Sequence, residues 1–126
     1  MAKVFLDTNI FIDSVYRNPE TREQIHGHDI FISPLSIHIL CYVNKIALPN
    51  KEFQGFLENY IIIHCTKEIF DTSLYGPTSD LEDNIQLHSA AEEVCDVFLT
   101  LDKKLLAMKY FGKTKILSSM EKYSHH

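Results

Sequence analysis

Five short apolar runs punctuate the chain: Val4-Phe5-Leu6, Ile30-Phe31-Ile32, Tyr60-Ile61-Ile62-Ile63, Val97-Phe98-Leu99 and Lys115-Ile116-Leu117. Each is too short for a helix, and none alternates apolar with polar residues. Runs of this kind are strands buried on both faces, the state that helical crossovers impose on a parallel sheet. Longer helix-patterned stretches fill the intervals and hairpin signals are scarce. The predicted fold is therefore α/β: a three-layer α/β/α sandwich with a mostly parallel central sheet.

Local signals place several elements. Ser33-Pro34 is an N-cap followed by proline at the first helical position, and Leu35, Ile39, Tyr42, Val43 and Ile46 continue at helical spacing to about Ala47. Tyr60–Ile63 reads as a buried strand. After the Gly76-Pro77 break, Ser79-Asp80-Leu81-Glu82 has the form of a capping box opening a helix that runs to about Glu93. Phe53, Phe56, Leu57 and Tyr60 form a helical stripe that reads as core or dimer surface. At 126 residues and 45% hydrophobic composition, one domain over residues 1–124 is expected. The closing His125-His126 resembles the stub of a purification tag and takes no part in the functional reading.

Composition narrows the function classes. Seventeen acidic against twelve basic residues give a net charge of -5, which argues against a surface built as a whole to hold nucleic acid. No apolar run approaches the roughly 20 residues of a membrane span, and the first residues lack the form of a signal peptide. Cys41, Cys65 and Cys95 are odd in number and widely spaced, so they read as small buried hydrophobes in a reducing cytoplasm rather than as disulfides or a zinc site.

In an open α/β sheet the site lies beyond the carboxyl ends of the strands. Asp7 directly follows the first run, Asp102 lies three residues past Leu99, and Asp83 sits in the first turn of the helix after the Gly-Pro break. Each Asp taken singly is an ordinary helix cap or turn residue. Converging at one sheet edge, like charges about 4 Å apart repel by about 4 kcal/mol at an effective dielectric near 20. Such a cluster requires a counter-ion or shared protons. Hard oxygen donors without a Cys or His pair select Mg²⁺ or Mn²⁺, and an ion held this way suits phosphodiester hydrolysis.

These stretches carry a family likeness. Val4-Phe5-Leu6-Asp7-Thr8-Asn9-Ile10-Phe11-Ile12-Asp13 resembles the opening motif of the PIN-domain family, which includes the VapC-type toxin ribonucleases. Asp80-Leu81-Glu82-Asp83-Asn84-Ile85-Gln86, Ala90-Ala91 and Val97-Phe98-Leu99-Thr100-Leu101-Asp102-Lys103-Lys104 resemble its second half. The resemblance spans essentially the whole chain. It implies that Asp7, Asp83 and Asp102 are the catalytic, metal-binding acids, with Asn9 and Thr100 shaping the site. It also implies Mg²⁺, an RNA substrate, a cognate antitoxin and a homodimer. The family's glutamate on the helix after its second strand is replaced by Ile39, which cannot bind metal. His38, adjacent in sequence but about 100° round the helix, is a weak substitute. Glu82 is explained by the capping box and Asp80 by the helix N-terminus, so both are secondary candidates. Asp13 falls on the first helix in a structural or solvent-facing position.

Charge is segregated along the chain. Glu68 to Asp102 contains nine acids and no Lys or Arg, whereas Lys103 to Lys122 contains six lysines against Glu121 alone. Lys103 and Lys104 are the expected RNA phosphate contacts. The first reading is an Mg²⁺-dependent endoribonuclease, the toxin of a toxin–antitoxin pair. The second, motivated by Ile39, is a catalytically impaired PIN module that acts through protein binding. A phosphatase of the haloacid-dehalogenase kind ranks third, because the Asp it needs two residues after the first is Asn9 here.

Overall fold

The computed structural model describes residues 1–123, so the His125-His126 reading and the Ser124 boundary lie outside the described residues. Six strands form one sheet in the order β3-β2-β1-β4-β6-β5. They are β1 (Lys3–Leu6), β2 (Asp29–Ile32), β3 (Ile61–Ile62), β4 (Val97–Leu99), β5 (Tyr110–Phe111) and β6 (Thr114–Leu117). All neighbours are parallel except β5 and β6, which make an antiparallel hairpin. The hairpin turns at Gly112, whose φ of 61° falls where a side chain is disfavoured.

Strand pleat divides the core in two. Val4, Leu6, Ile30, Ile32, Val97 and Leu99 point to one face, where they meet Ile10, Phe11, Ile12, Leu40 and Phe53. These partners come from α1 (Thr8–Ile12), α3 (Pro34–Val43) and α4 (Lys51–Leu57), joined by Ile25 of α2 (Pro19–Ile25). Phe5, Phe31, Phe98 and Ile116 point to the other face, onto Leu87 and Ala90 of α6 (Leu81–Glu92) and Leu105 of α7 (Lys103–Met108). The short α5 (Lys67–Ser73) packs on α6. A helix layer thus covers each face of the sheet, as the continuous apolar runs predict.

Several sequence expectations need correction. The run at Tyr60–Ile63 is not a buried strand: Ile61 and Ile62 are 46% and 44% exposed, because β3 is the sheet edge and pairs with β2 alone. The β5–β6 hairpin was not expected. The third helix stops at Val43 rather than near Ala47. Cys95 is buried, but Cys41 is half-buried and Cys65 exposed. The capping box does not form. Asp80, not Ser79, caps α6, accepting the Asp83 N–H at 2.9 Å. The register follows from Asn84, whose side chain bonds Thr78 N, Thr78 O and Ser73 O and so sets where the preceding loop ends. Between α1 and α2 the chain makes one π-helical turn, Asp13–Arg17, closed by an Asp13–Arg17 ion pair at 2.9 Å. Asp13 is structural, as expected.

Candidate functional site

The order of the strands reverses direction between β1 and β4. From β1 the chain proceeds outward through β2 to β3, and from β4 outward through β6. A crevice opens at the carboxyl ends of two such neighbours. Leu6 pairs with Leu99 in register, so the residues just beyond them, Asp7 and Thr100, stand side by side. The Asp7 N–H continues the ladder to Leu99 O at 3.0 Å. Thr100 Oγ1 donates to Asp7 Oδ2 at 2.6 Å and accepts the Asp102 N–H at 3.0 Å. One fully buried hydroxyl therefore links two of the acids. Asp7 Oδ1 accepts the Thr8 N–H at 2.8 Å to cap α1, and Asp102 Oδ1 caps α7 through Lys104 N at 2.8 Å. Capping and clustering share one geometry here, because a helix leaving a strand end needs an acceptor there, and Asp102 also lines the neighbouring cavity.

The third acid comes from α6. Asp83 lies near Asp80, Asp7, Asp102 and Glu82; burial and then these charges, in that order, push its carboxyl up to about 6. Burial is also the main reason that Asp7 is raised, with Asp102 adding to it and hydrogen bonds from Thr100, Thr8 and Gln86 opposing it. Glu82 is raised by burial and by Asp7 and Asp80, against a hydrogen bond with the Thr8 side chain. Asp7, Asp83 and Asp102 thus lie near enough for their charges to raise one another's proton affinity. Asp80, Asp83 and Asp102 line one open cavity of about 440 Å³ together with Lys103 and Lys104.

The other predicted residues fall in different places. Asn9 is exposed on α1, and its backbone carbonyl accepts a long bond from Arg17. His38 is exposed on α3. On that helix it is Ser36, fully buried, that reaches the site, sharing a 2.8 Å hydrogen bond with Thr8 Oγ1. Ile39 follows Ser36 by three residues and so shares its helix face. Glu82 is not the capping residue the sequence suggested; freed from that role, it turns to Thr8 and Asp7. Sequence reasoning missed Thr8, Ser36 and Gln86. A run of small or polar residues on otherwise apolar helix faces was the available signal.

Three solved structures share this architecture. A chain of a toxin–antitoxin complex from Klebsiella pneumoniae aligns with a TM-score of 0.67 and 21% identity, over 80% of this chain and 88% of that one. A chain of VapBC2 from Rickettsia felis, bound to a DNA fragment from their promoter, gives 0.64 and 18% over 90% and 98%. A chain of FitAB bound to IR36 DNA gives 0.67 and 14% over 98% and 99%. The fold is that of the PIN domain. No family model matches the sequence, and no curated protein does.

The PIN resemblance implies a divalent ion, and the donor set fits one in chemistry. The donors are hard oxygens whose charges raise one another's proton affinity, so a cation would relieve the crowding. Among the described residues no group of three or more His, Cys, Asp or Glu is arranged to hold a metal ion. Asp7, Asp80 and Asp102 each have an oxygen engaged on a helix N-terminus. That arrangement suits Mg²⁺, which keeps several waters and takes one or two carboxylates plus substrate phosphate, better than Ca²⁺ or Zn²⁺ in a closed cage.

The raised Asp83 has a consequence for stability. An unfolded Asp loses its proton near 3.8, whereas folded Asp83 holds it to about 6. Through that window the folded state binds more protons, so stability falls as pH rises from about 4 to 6. Asp83→Asn is expected to unfold at a higher temperature than wild type at pH 7, with the difference vanishing below about pH 4. The gain should be about 1 kcal/mol, because a half-exposed group is screened by solvent. Thermal unfolding across pH checks this.

Proposed function

We propose that this chain is a divalent-metal-dependent nuclease of the PIN type, acting on RNA as the toxin of a toxin–antitoxin pair. What supports the reading most is the geometry at the β1–β4 switch point, where Thr100 hydrogen-bonds both the Asp7 carboxylate and the Asp102 N–H, and Asp83 lines one cavity with Asp102. In this reading Asp7, Asp83 and Asp102 share Mg²⁺ or Mn²⁺ with waters and a substrate phosphate, directly or through the ion's water shell, and Thr100 fixes the Asp7 carboxylate through its 2.6 Å bond. A bound Mg²⁺ supplies Lewis acidity toward a phosphate oxygen and lowers the pKa of an attacking water. Lys103 and Lys104, which line one cavity with Asp83 and Asp102, meet the flanking phosphates and draw a polyanion to an otherwise acidic site. The likeness to a Klebsiella pneumoniae toxin–antitoxin complex supports an antitoxin partner. A homodimer and a cytoplasmic location complete the proposal; among the described residues no helix is long and apolar enough to cross a membrane.

The test is cleavage of a mixed RNA pool by the full chain. Products that require Mg²⁺ or Mn²⁺ and disappear with a chelator support the nuclease; an intact pool at every metal concentration, with folded protein, rejects it.

A second reading, an impaired module acting through protein binding, draws on Ile39, which brings no oxygen to the face of α3 that Ser36 turns to the site. Ile39→Glu separates the two. A native centre that is already complete should gain less than about threefold in Mn²⁺ affinity, whereas a crippled one should gain tenfold or more. Calorimetric titration of Mn²⁺ reads the difference directly.

A further inference from the structure

Gln86 is a polar residue in a place that calls for an apolar one. It lies on the buried side of α6, fully inaccessible, among Ile85, Leu87 and Ala90. Its Nε2 reaches Glu82 Oε2 at 3.4 Å, one helical turn back, and its amide works against the burial that raises the proton affinity of Asp7. Among the described residues its Oε1 is the buried side-chain polar atom left without a partner. An amide oxygen buried without a bond is a cost that native structures rarely carry, and it calls for a missing partner. Both amide atoms share one carbon. Because Nε2 reaches Glu82, Oε1 on the same carbon lies within a few ångströms of that carboxylate. What belongs beside it is therefore a donor that the acids also attract: a hydrated cation.

We propose that Glu82 and Gln86 supply from α6 the oxygen donors that Ile39 withholds on α3. Glu82 adds the fourth negative charge to the centre. The Gln86 amide holds Glu82 through Nε2 and offers Oε1 to a water of the ion's shell. Gln86 is thus a positioning residue, acting through the carboxylates and the hydration shell. This inference rests on reading the site as a divalent-ion centre.

The experiment titrates Mn²⁺ alone into the full-length protein and its variants, by calorimetry and by the electron paramagnetic resonance of free Mn²⁺. Gln86→Leu changes no charge, so a fall in affinity of about tenfold is expected to report the amide itself. Gln86→Glu should restore binding to at least the wild-type level. Glu82→Gln, at a half-exposed position that tolerates substitution, should also lose tenfold or more. It keeps the test valid if Gln86→Leu fails to fold. Asp80→Asn, equally acidic but capping the helix, should lose less than threefold. Affinities within twofold of wild type for both Glu82→Gln and Gln86→Leu overturn the proposal. So do equal losses in Asp80→Asn and Glu82→Gln with Gln86→Leu unchanged, since net charge then explains everything. Asp7→Asn separates the two levels of the argument. If it abolishes Mn²⁺ binding while the α6 variants do not, only the Glu82–Gln86 role fails. If it too leaves binding unchanged, the metal centre itself is wrong.

Discussion

Asp7→Asn is expected to lower RNA cleavage by about 10²–10³-fold while leaving the protein folded. The loss corresponds to several kcal/mol of transition-state stabilisation, the scale that a correctly held divalent ion contributes to phosphoryl chemistry. The fold should survive because the amide is isosteric with the carboxylate. Its oxygen can still accept the Thr8 N–H that caps α1, a bond of 2.8 Å in the wild type. The bond from Thr100 Oγ1, 2.6 Å to Oδ2, is the one that must change, since an amide NH₂ cannot accept it. Against that loss stands the relief of a buried charge, for burial already raises the proton affinity of Asp7. The melting temperature at pH 7 is therefore expected within a few degrees of wild type. Cleavage within tenfold of wild type by the folded variant would remove Asp7 from the mechanism.

Phe98→Ala is expected to cost about 3–5 kcal/mol of stability, the range for deleting a large buried ring. Phe98 is fully buried on β4, the strand between β1 and β6, and its ring stacks on Phe5 with centroids 5.4 Å apart. Leu87, Ala90, Leu105 and Ile116 belong to the same cluster, which joins α6 and α7 to the sheet. A cavity there cannot collapse without moving β4 relative to both helices. With total stabilities of about 5–15 kcal/mol for domains of this kind, the variant should unfold at a much lower urea concentration. Leu101→Ala, two residues beyond β4 but 62% exposed, should change stability by no more than about 0.5 kcal/mol. A shift below 1 kcal/mol for Phe98→Ala would mean that this face of the sheet is not packed as described. The two predictions also separate roles along one short segment, in which Phe98 holds the strand and Thr100 and Asp102 use its end.

Much of the architecture was legible because burial on both faces leaves its mark directly in the order of residues. Val4–Leu6, Ile30–Ile32 and Val97–Leu99 have no polar alternation because helices cover both sides, and each became a strand of the parallel core. The edge was not legible. Ile61 and Ile62 have the same composition as a central strand, and only their place beside β2, with no further neighbour, exposes them. The β5–β6 hairpin escaped for a related reason: it joins only two residues of one strand to a neighbour, across a turn marked by a single glycine. The caps Asn18-Pro19, Asn50 and Thr66 were visible signals for α2, α4 and α5 that periodicity alone did not raise.

At the site the division runs between what is local and what is not. That Asp7 and Asp102 stand at the ends of strands and begin helices is a property of neighbouring residues, and the order of the chain suffices to state it. That Thr100 bridges those acids, that Ser36 answers Thr8, and that Gln86 lies against Glu82 and Asp7 depends on pairs up to 93 residues apart. Side-chain hydrogen bonds reach about 3 Å and carry no imprint on the residues between their ends. Only the folded sheet, with β1 set against β4 and α6 laid across them, brings those atoms into one crevice and leaves an amide oxygen there without a partner.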